Sequence, residues 1–248
     1  MRDETVRDER LKQATIIRNP NGSSVPPLTV LTEATNRLTG AGWEVSILET
    51  EGPGHAETLA RNAVESGSTV VFACGGDGTA NEVANGLAGS NAALALIRGG
   101  LTNALADEMD IPEDPADAVG LLALGKHRRI DVGLVNGRRF LLMAGVGLDA
   151  GVIKSVSPDA KRTFGKLPFV FRGVQALIRD RATPVDLRID GEAVDAELFW
   201  VSIITPLPWL IRCSGTLRRS ASSSTAAIAS GPSTEGISIL HAPPSGKR

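Results

Sequence analysis

Three glycines and an aspartate stand together at residues 75–78, between an apolar, β-branched run at 69–73 and an amphipathic stretch that begins at Ala80. This order predicts a strand, a tight turn and a helix. Glycines let a polyanion approach the backbone, and the start of a helix adds partial positive charge. A bare phosphate would be repelled by Asp77, so the pattern indicates a bridging cation or a proton to be moved, and hence phosphoryl transfer. The alternative is a plain β-to-α turn in which Asp77 only caps the helix.

The segments around this turn alternate between short β-rich runs and helical patterns. We predict strands at 14–18, 43–48, 69–73 and 93–97, and helices at 28–38, 56–65, 80–87, 103–110 and 115–124. Such alternation is typical of an α/β fold with a doubly wound parallel sheet, whose ligands lie at the carboxyl ends of the strands. Asn19, Thr50 and Asp77 each follow a predicted strand, so the sequence places them at one edge of the sheet.

The pattern changes to hairpins after Arg129. Asn136-Gly137 and Asp190-Gly191 are strong two-residue turn signals, flanked by β-rich runs at 129–135, 138–143, 184–189 and 196–203, and a helix is predicted at 164–178. We therefore expect an N-terminal lead at 1–13, a nucleotide-binding α/β domain at 14–128 and an incomplete antiparallel β-sandwich domain at 129–204. The tail at 205–248, rich in Ser, Ala and Pro, is predicted to be disordered.

Composition excludes several classes of function. The formal net charge of −2 provides no basic field for nucleic acid. Cys74 and Cys213 lack metal-ligand spacing, which suits a reducing cytoplasm. No apolar run has the length of a transmembrane segment, and the N-terminus lacks the apolar core of a signal peptide. We expect a cytoplasmic chain; the sequence leaves the oligomeric state open, with a homodimer among the options.

The longer string GGDGTANEVANGL, at residues 75–87, resembles the signature of the diacylglycerol kinase catalytic domain family, which is related to sphingosine kinases and NAD kinases. Other segments resemble the same family in the same order. These are Ile16-Ile17-Arg18-Asn19-Pro20, Glu49-Thr50-Glu51, Asp131-Val132-Gly133 and residues 144–150. The likeness runs from about Thr15 to about Ile204.

The resemblance implies an ATP- and Mg²⁺-dependent lipid kinase that phosphorylates a hydroxyl of a diacylglycerol-like lipid, at the inner face of the membrane. Asp77 is the implied catalytic residue, either as a Mg²⁺ ligand or as the base that accepts the substrate proton. No metal ligand is assigned beyond that alternative. The implied nucleotide-binding residues are Asn19, Thr50, Gly75, Gly76, Asp77, Gly78, Thr79, Ala80, Asn81 and Thr102. For Asn81 and Glu82, stabilising the loop and forming a pair on the helix surface are equally compatible with the sequence.

One loop departs from the family pattern, Pro-x-Gly-Thr-x-Asn, which follows the fourth strand. Here it is Arg98-Gly99-Gly100-Leu101-Thr102-Asn103. Leu101 therefore stands where the family threonine meets nucleotide, and Thr102 is the candidate substitute. Arg98 either meets phosphate or is solvated.

The C-terminal part departs further. The family has an acidic, Mg²⁺-binding turn and a final segment that returns to the first domain with a catalytic glutamate, and neither is recognisable after Ile204. This predicts a truncated or out-of-frame C-terminus.

Asp149 either orients substrate or caps a helix. The alternative function is a catalytically impaired nucleotide-binding remnant. A dinucleotide-binding oxidoreductase is disfavoured because the glycine run follows the third predicted strand, not the first.

Overall fold

The computed structural model describes residues 12–124, 127–135, 137–147, 183–189, 192–198, 200–204 and 236–240. The strands are β1 (Lys12–Arg18), β2 (Trp43–Glu49), β3 (Val70–Gly75), β4 (Ala93–Arg98), β5 (His127–Asp131), β6 (Gly133–Val135), β7 (Arg138–Phe140), β8 (Met143–Gly147), β9 (Thr183–Ile189), β10 (Glu192–Leu198), β11 (Trp200–Ile204) and β12 (Gly236–Leu240). The helices are α1 (Leu28–Thr39), α2 (His55–Glu65), α3 (Asp77–Gly86), α4 (Ala104–Glu108) and α5 (Pro115–Leu124).

A six-stranded sheet in the order β2-β1-β3-β4-β12-β5 carries the core. The first five of these strands are parallel, and β5 is antiparallel at the edge. β3 is buried along its whole length and β4 along all but its last residue, as expected for central parallel strands that are covered on both faces. The predicted α/β fold with a parallel sheet is therefore confirmed, and antiparallel pairs β6–β7, β8–β11 and β9–β10 accompany it.

Helices α2 and α3 pack closely because Gly86 has no side chain. A Cβ at Gly86 would clash with the Glu57 carbonyl oxygen and lie 2.7 Å from the Ala60 Cβ. The contact fixes the position of α3, whose first turn follows the glycine turn, against the body of the domain.

Two helices, α3 and α4, differ from their predicted bounds by more than one residue. α3 begins at Asp77, three residues earlier than expected, because Gly76 already accepts the first helical hydrogen bond from the Ala80 N–H at 3.1 Å. α4 is shorter than predicted because Asn103 and Asp110, with φ of 52° and 51°, lie in the left-handed region outside it. The earlier start of α3 places Asp77 in a helical first turn.

β5 spans the predicted boundary at residues 128/129 and pairs with β12 in the main sheet, so the first sheet continues to Asp131, and the division into domains stays a prediction. The hairpin at Asn136-Gly137 is consequently limited to β6 and β7. The second hairpin is confirmed, with Ile189 opposite Glu192. Its predicted second run is divided, since β10 pairs with β9 while β11 pairs with β8.

Residues 236–240 correct the expectation of a wholly disordered tail. They form β12, which pairs parallel to β4 and antiparallel to β5, and Ile237 and Ile239 are buried there. A segment of the tail therefore does return to the first sheet. It was missed because only two alternating isoleucines mark it within a Ser- and Pro-rich composition.

Several sequence expectations lie outside the described residues. They are the helix at 164–178, the role of Asp149 and the rest of the tail, at 205–235 and 241–248. Among the helices in the described ranges, none combines the length and apolar character needed to cross a bilayer.

Candidate active site

Three loops meet at the carboxyl ends of β1, β3 and β4 with their backbones in contact. A Cβ at Gly22 would clash with the Gly99 carbonyl oxygen, and one at Gly100 would clash with the Gly76 Cα. A Cβ at Gly99 would lie 2.9 Å from the Gly75 Cα. We call this place the loop junction. It comprises residues 19–25, 75–79 and 98–103. Only glycines allow loops to approach so closely, so the junction is built from backbone.

Side chains tie the same loops together. Ser24 donates from its hydroxyl to the Gly100 carbonyl at 2.8 Å and from its N–H to the Gly99 carbonyl at 3.2 Å. Asn103 accepts at Oδ1 from the Gly100 N–H at 2.9 Å and from the Gly99 N–H at 3.3 Å. The β4–α4 loop is thereby held from both sides.

The first turn of α3 has backbone N–H donors that no carbonyl of the helix accepts. The first intrahelical bond comes from the Ala80 N–H, so the N–H groups of Asp77, Gly78 and Thr79 have no acceptor inside the helix. Gly78 is exposed, and a Cβ there would meet no atom within 4 Å. The helix dipole adds partial positive charge at this point. The turn therefore has both the donors and the open space that an anionic group such as a phosphate needs.

Asp77 connects this turn to α4. Its Oδ1 accepts the Leu105 N–H at 3.1 Å and so caps a helix that receives no side-chain cap from its own N-cap residue, Asn103. Within the part of the chain that the structure describes, no hydrogen-bond partner reaches the second carboxylate oxygen, Oδ2. One oxygen fixes the side chain while the other stays available for a cation or a proton.

Asn19 and Thr79 bridge the β1–α1 loop and α3. The Asn19 Nδ2 donates to the Thr79 Oγ1 at 3.2 Å, and the Asn19 Oδ1 accepts the Asn21 N–H at 3.0 Å. Thr79 is buried, and its Oγ1 would lie 2.5 Å from a Cβ at Gly75. Because Thr79 accepts from Asn19, its own hydroxyl proton remains free to meet another acceptor.

The other predicted nucleotide contacts stand further along the same sheet edge. Thr50 follows β2 and is buried, with its N–H bonded to the Arg18 carbonyl at 2.9 Å. Thr102 is exposed in the β4–α4 loop, and Leu101 beside it is half-buried. Strand order places these segments on one edge, as the sequence predicted, while a contact of either threonine with nucleotide stays a prediction.

Arg98 is mostly buried and bonded within the protein, so it is not the solvated arginine of one alternative, while a contact with phosphate stays a prediction. Its Nε and Nη2 donate to the Ile111 carbonyl at 2.9 and 2.7 Å, and its Nη1 pairs with Asp107. The guanidinium therefore holds the segment that follows α4 and is not directed to a phosphate by these contacts.

The polar residues on the sides of α3 also bond neighbouring elements. Glu82 accepts the Ala56 N–H at 3.2 Å and so caps the start of α2. Asn81 uses both atoms of its amide on the backbone at β7, donating to the Arg139 carbonyl at 3.3 Å and accepting the Leu141 N–H at 3.0 Å. None of these contacts reaches the glycine turn, so a role of the pair in stabilising that loop stays a prediction. A contact of Asn81 with nucleotide stays a prediction.

Cys74 is the last residue of β3 before Gly75 and is fully buried. Burial raises the pKa of its thiol to about 12, and the nearby Arg18 charge only partly opposes the shift. The thiol is therefore neutral at physiological pH and acts as a small apolar residue.

Across the described ranges, no cluster of three or more His, Cys, Asp or Glu side chains forms a ready-made metal site.

Sequence reasoning missed three contributors to this site. Gly22 and Ser24 shape the β1–α1 loop against Gly99 and Gly100, and Asn85 bonds β7 next to Asn81. The loop residues carried a signal, since a glycine followed a strand end at Gly22 just as at Gly100. The spacing of Asn81 and Asn85 by one helical turn was the available signal for the third.

The fold and the loop junction together define an α/β protein with exposed backbone donors at the carboxyl edge of its parallel sheet. The sequence profile of the diacylglycerol kinase catalytic domain matches residues 13–135. The chain belongs to the diacylglycerol kinase catalytic domain family.

Relatives agree with this assignment. A diacylglycerol kinase of Bacillus subtilis is 34% identical over 191 residues, which cover 76% of this chain and 63% of the relative. One of Staphylococcus saprophyticus is 30% identical over 188 residues, 75% of this chain and 62% of the relative. The crystal structure of a diacylglycerol kinase from Bacillus anthracis superimposes with a TM-score of 0.58 at 29% identity, covering 77% of this chain and 63% of that one. This chain thus spans less than two thirds of the length of these relatives.

Proposed function

We propose that this chain is an ATP-dependent lipid kinase that transfers the γ-phosphate of ATP to a hydroxyl of a diacylglycerol-like lipid. The observation that carries the proposal is the first turn of α3. Its N–H groups have no acceptor inside the helix, a Cβ at Gly78 would meet no atom within 4 Å, and Asp77 is held through its Oδ1 by the Leu105 N–H. Family membership supports kinase chemistry and a lipid acceptor, because the relatives are named diacylglycerol kinases.

Phosphoryl transfer depends mainly on positioning and charge neutralisation. The first turn of α3 is suited to hold the phosphate chain of ATP through the N–H groups of Asp77, Gly78 and Thr79 and the Thr79 hydroxyl proton. We call these groups the phosphate cradle. The close packing of Gly76 on Gly100 makes the cradle rigid, so little reorganisation is needed when phosphate binds.

The donor set also fits Mg²⁺. This ion is usually held by one or two carboxylates together with substrate phosphates and waters, so the single Asp77 carboxylate is compatible with a nucleotide-bound ion. Bound there, Mg²⁺ would neutralise phosphate charge that Asp77 otherwise repels. Asp77 then serves either as its ligand or as the acceptor of the lipid hydroxyl proton.

The test is transfer of labelled γ-phosphate from Mg·ATP to vesicles that contain diacylglycerol, with Asp77→Asn beside the parent chain. Asparagine keeps an oxygen for the Leu105 N–H and removes only the charge. We expect the parent to label the lipid and Asp77→Asn to lose roughly 100-fold or more of the rate at an unchanged melting temperature. The matched control is Asp117→Asn on the exposed face of α5, which should keep the parent rate.

Two outcomes contradict the proposal in different ways. A folded parent chain that labels no lipid removes the kinase function. Near-parent turnover in Asp77→Asn keeps the function but removes Asp77 from the chemistry.

A nucleotide-binding remnant without turnover is the second candidate. Leu101 favours it, because a leucine offers no hydrogen bond where the family threonine meets nucleotide. Binding of Mg·ATP by the parent chain without any phosphate transfer would identify this function. Leu101→Thr would then be expected to tighten ATP binding.

A lipid acceptor implies work at a membrane surface. We propose that the chain acts in the cytoplasm and contacts the inner face of the membrane from there. Sedimentation with diacylglycerol-containing vesicles, compared with vesicles of phosphatidylcholine alone, tests this contact. A homodimer remains one option for its assembly, which sedimentation equilibrium measures.

A further inference from the structure

Helix α3 is bonded to the β6–β7 hairpin through two asparagine side chains. Asn85 accepts the Arg139 N–H at 3.0 Å and donates to the Arg139 carbonyl at 2.9 Å. Asn81 accepts the Leu141 N–H at 3.0 Å and donates to the Arg139 carbonyl at 3.3 Å. We call this pair of asparagines the α3 clamp. Every bond it makes to the hairpin goes to the backbone.

The clamp takes the place of a neighbouring strand. In an antiparallel pair, residues alternate between those whose N–H and C=O groups face the partner and those whose groups face away. In the register of β6 and β7, Val135 lies opposite Arg138, Leu134 opposite Arg139 and Gly133 opposite Phe140. In a hairpin closed by two residues, the pair next to the turn is hydrogen-bonded, so the Val135 and Gly133 pairs exchange backbone bonds and the Leu134–Arg139 pair does not. Residues 139 and 141 have the opposite phase, and these are the two whose backbone groups meet α3. Asn85, with one acceptor and one donor on the same residue, acts as a strand partner for Arg139.

The clamp is held rigid from within α3. The Asn85 Nδ2 also donates to the Asn81 carbonyl at 2.8 Å, which fixes the orientation of its amide. Asn81 and Asn85 are four residues apart and so lie on one face of the helix. Because the same helix starts with Asp77, Gly78 and Thr79, the clamp connects the phosphate cradle to the hairpin through one rigid element.

The hairpin is separate from the six-stranded sheet in the described part of the chain, so its position depends on contacts such as these. We propose that Asn81 and Asn85 are positioning residues, which set the β6–β7 hairpin and the antiparallel strands after it at a fixed distance from the phosphate cradle. This inference rests on the proposed lipid kinase function, in which an acceptor hydroxyl must be brought to the γ-phosphate. Misplacement of about 1 Å between reacting groups can reduce a rate on the order of 100-fold.

The experiment compares the parent chain with Asn85→Ala and Asn81→Ala, using Mg·ATP and diacylglycerol-containing vesicles. The matched control is Asn62→Ala, an exposed asparagine on the neighbouring helix α2. We expect Asn85→Ala to lower kcat by roughly 10- to 100-fold while the Kd for Mg·ATP changes by less than about two-fold. Asn81→Ala should show the same separation with a smaller loss, because one of its bonds is long. Asn62→Ala should match the parent.

Hydrogen exchange supplies a readout that does not need turnover. The Arg139 and Leu141 amides should lose protection in Asn85→Ala and Asn81→Ala respectively, while amides within α3 keep theirs. Mg·ATP should raise the protection of both amides in the parent chain and fail to raise that of Arg139 in Asn85→Ala.

The outcomes separate the two proposals. A parent rate in Asn85→Ala, or a loss of ATP affinity equal to the loss of kcat, overturns the positioning role. If Asn85→Ala does not fold, Asn81→Ala decides by the same criteria. If the parent chain phosphorylates no lipid, the proposed function fails, and the clamp is then judged by exchange alone. An equal response of the Arg139 amide to Mg·ATP in the parent and Asn85→Ala overturns it.

Discussion

Helix α3 is fixed in two different ways along its length. At its first turn, the backbones of the loop junction pack so closely that a Cβ at Gly100 would clash with the Gly76 Cα, and a Cβ at Gly76 would lie 3.2 Å from the Gly100 Cα. Along its sides, polar side chains reach out to other elements, with Glu82 bonded to α2 and Asn81 to β7. The first arrangement is rigid because atoms exclude one another, and the second because hydrogen bonds are satisfied. The comparison teaches that the contact between Gly76 and Gly100 depends on the absence of side-chain atoms, while the sides of the helix depend on particular donors and acceptors.

The largest effect is expected from Gly100→Ala. The added Cβ would clash with the Gly76 Cα, so the two loops must separate. We expect a loss of about 1–3 kcal/mol of unfolding free energy and at least ten-fold weaker binding of Mg·ATP. Thermal unfolding and isothermal titration calorimetry measure the two quantities.

Gly78→Ala is the control for this change, since its Cβ would meet no atom within 4 Å. It should leave stability near that of the parent chain and weaken ATP binding only if phosphate occupies the open space. Parent-like stability and affinity in Gly100→Ala would show that the loops are not in close contact.

Gly86→Ala should separate packing from binding. Its Cβ would clash with the Glu57 carbonyl at the far end of α3, so we expect a loss of about 1–3 kcal/mol in unfolding free energy. The Kd of the folded protein for Mg·ATP should change by less than about two-fold, because the cradle is untouched. The control is Gly120→Ala in α5, where a Cβ meets nothing within 4 Å and helix propensity predicts a gain of about 0.5–1 kcal/mol. A large change of Kd in Gly86→Ala would mean that the two ends of α3 are not independent.

The smallest effect is expected where a single hydrogen bond is removed. Glu82→Ala loses the acceptor for the Ala56 N–H and should cost about 1 kcal/mol of unfolding free energy, as for other helix caps. Glu82→Gln keeps an oxygen acceptor and should lose less. Urea unfolding of both variants measures the difference, and an equal loss in the two would assign the effect to charge instead of to the bond.

The sequence predicted the strand, the glycine turn and the helix at 70–86 because their requirements are local. Two positions where another segment lies close to the backbone, Gly75 and Gly76, are glycines in one short run after a strand. The order of strands and helices followed from periodicity, so the edge that collects Asn19, Thr50 and Asp77 was also predictable. The start of α3 was missed by three residues because the glycines in its first turn have low helix propensity.

The partners of polar side chains could not be predicted in the same way. Asn85 bonds the backbone of Arg139, Asn81 that of Leu141, and Glu82 that of Ala56. Almost every residue has the same backbone N–H and carbonyl groups, so the sequence does not indicate which of them a side chain will meet. Arg98 is similar, since its acceptor is the carbonyl of Ile111. β12 was missed for a related reason, because its pairing with β4 and β5 depends on distant strands and little on its own composition.

By itself, therefore, the sequence determined the parallel sheet, the glycine turn and the family, because these depend on periodicity and on residue types that are near one another along the chain. The tertiary structure alone decided that Gly22, Gly76 and Gly100 form one junction, that Asp77 caps α4, and that Asn81 and Asn85 hold the hairpin. Each of those contacts joins residues far apart in sequence. Each is made either to a backbone atom or at a glycine, where the lack of a side chain allows another backbone to approach. Such partners become specific only when the folded chain brings them within bonding distance.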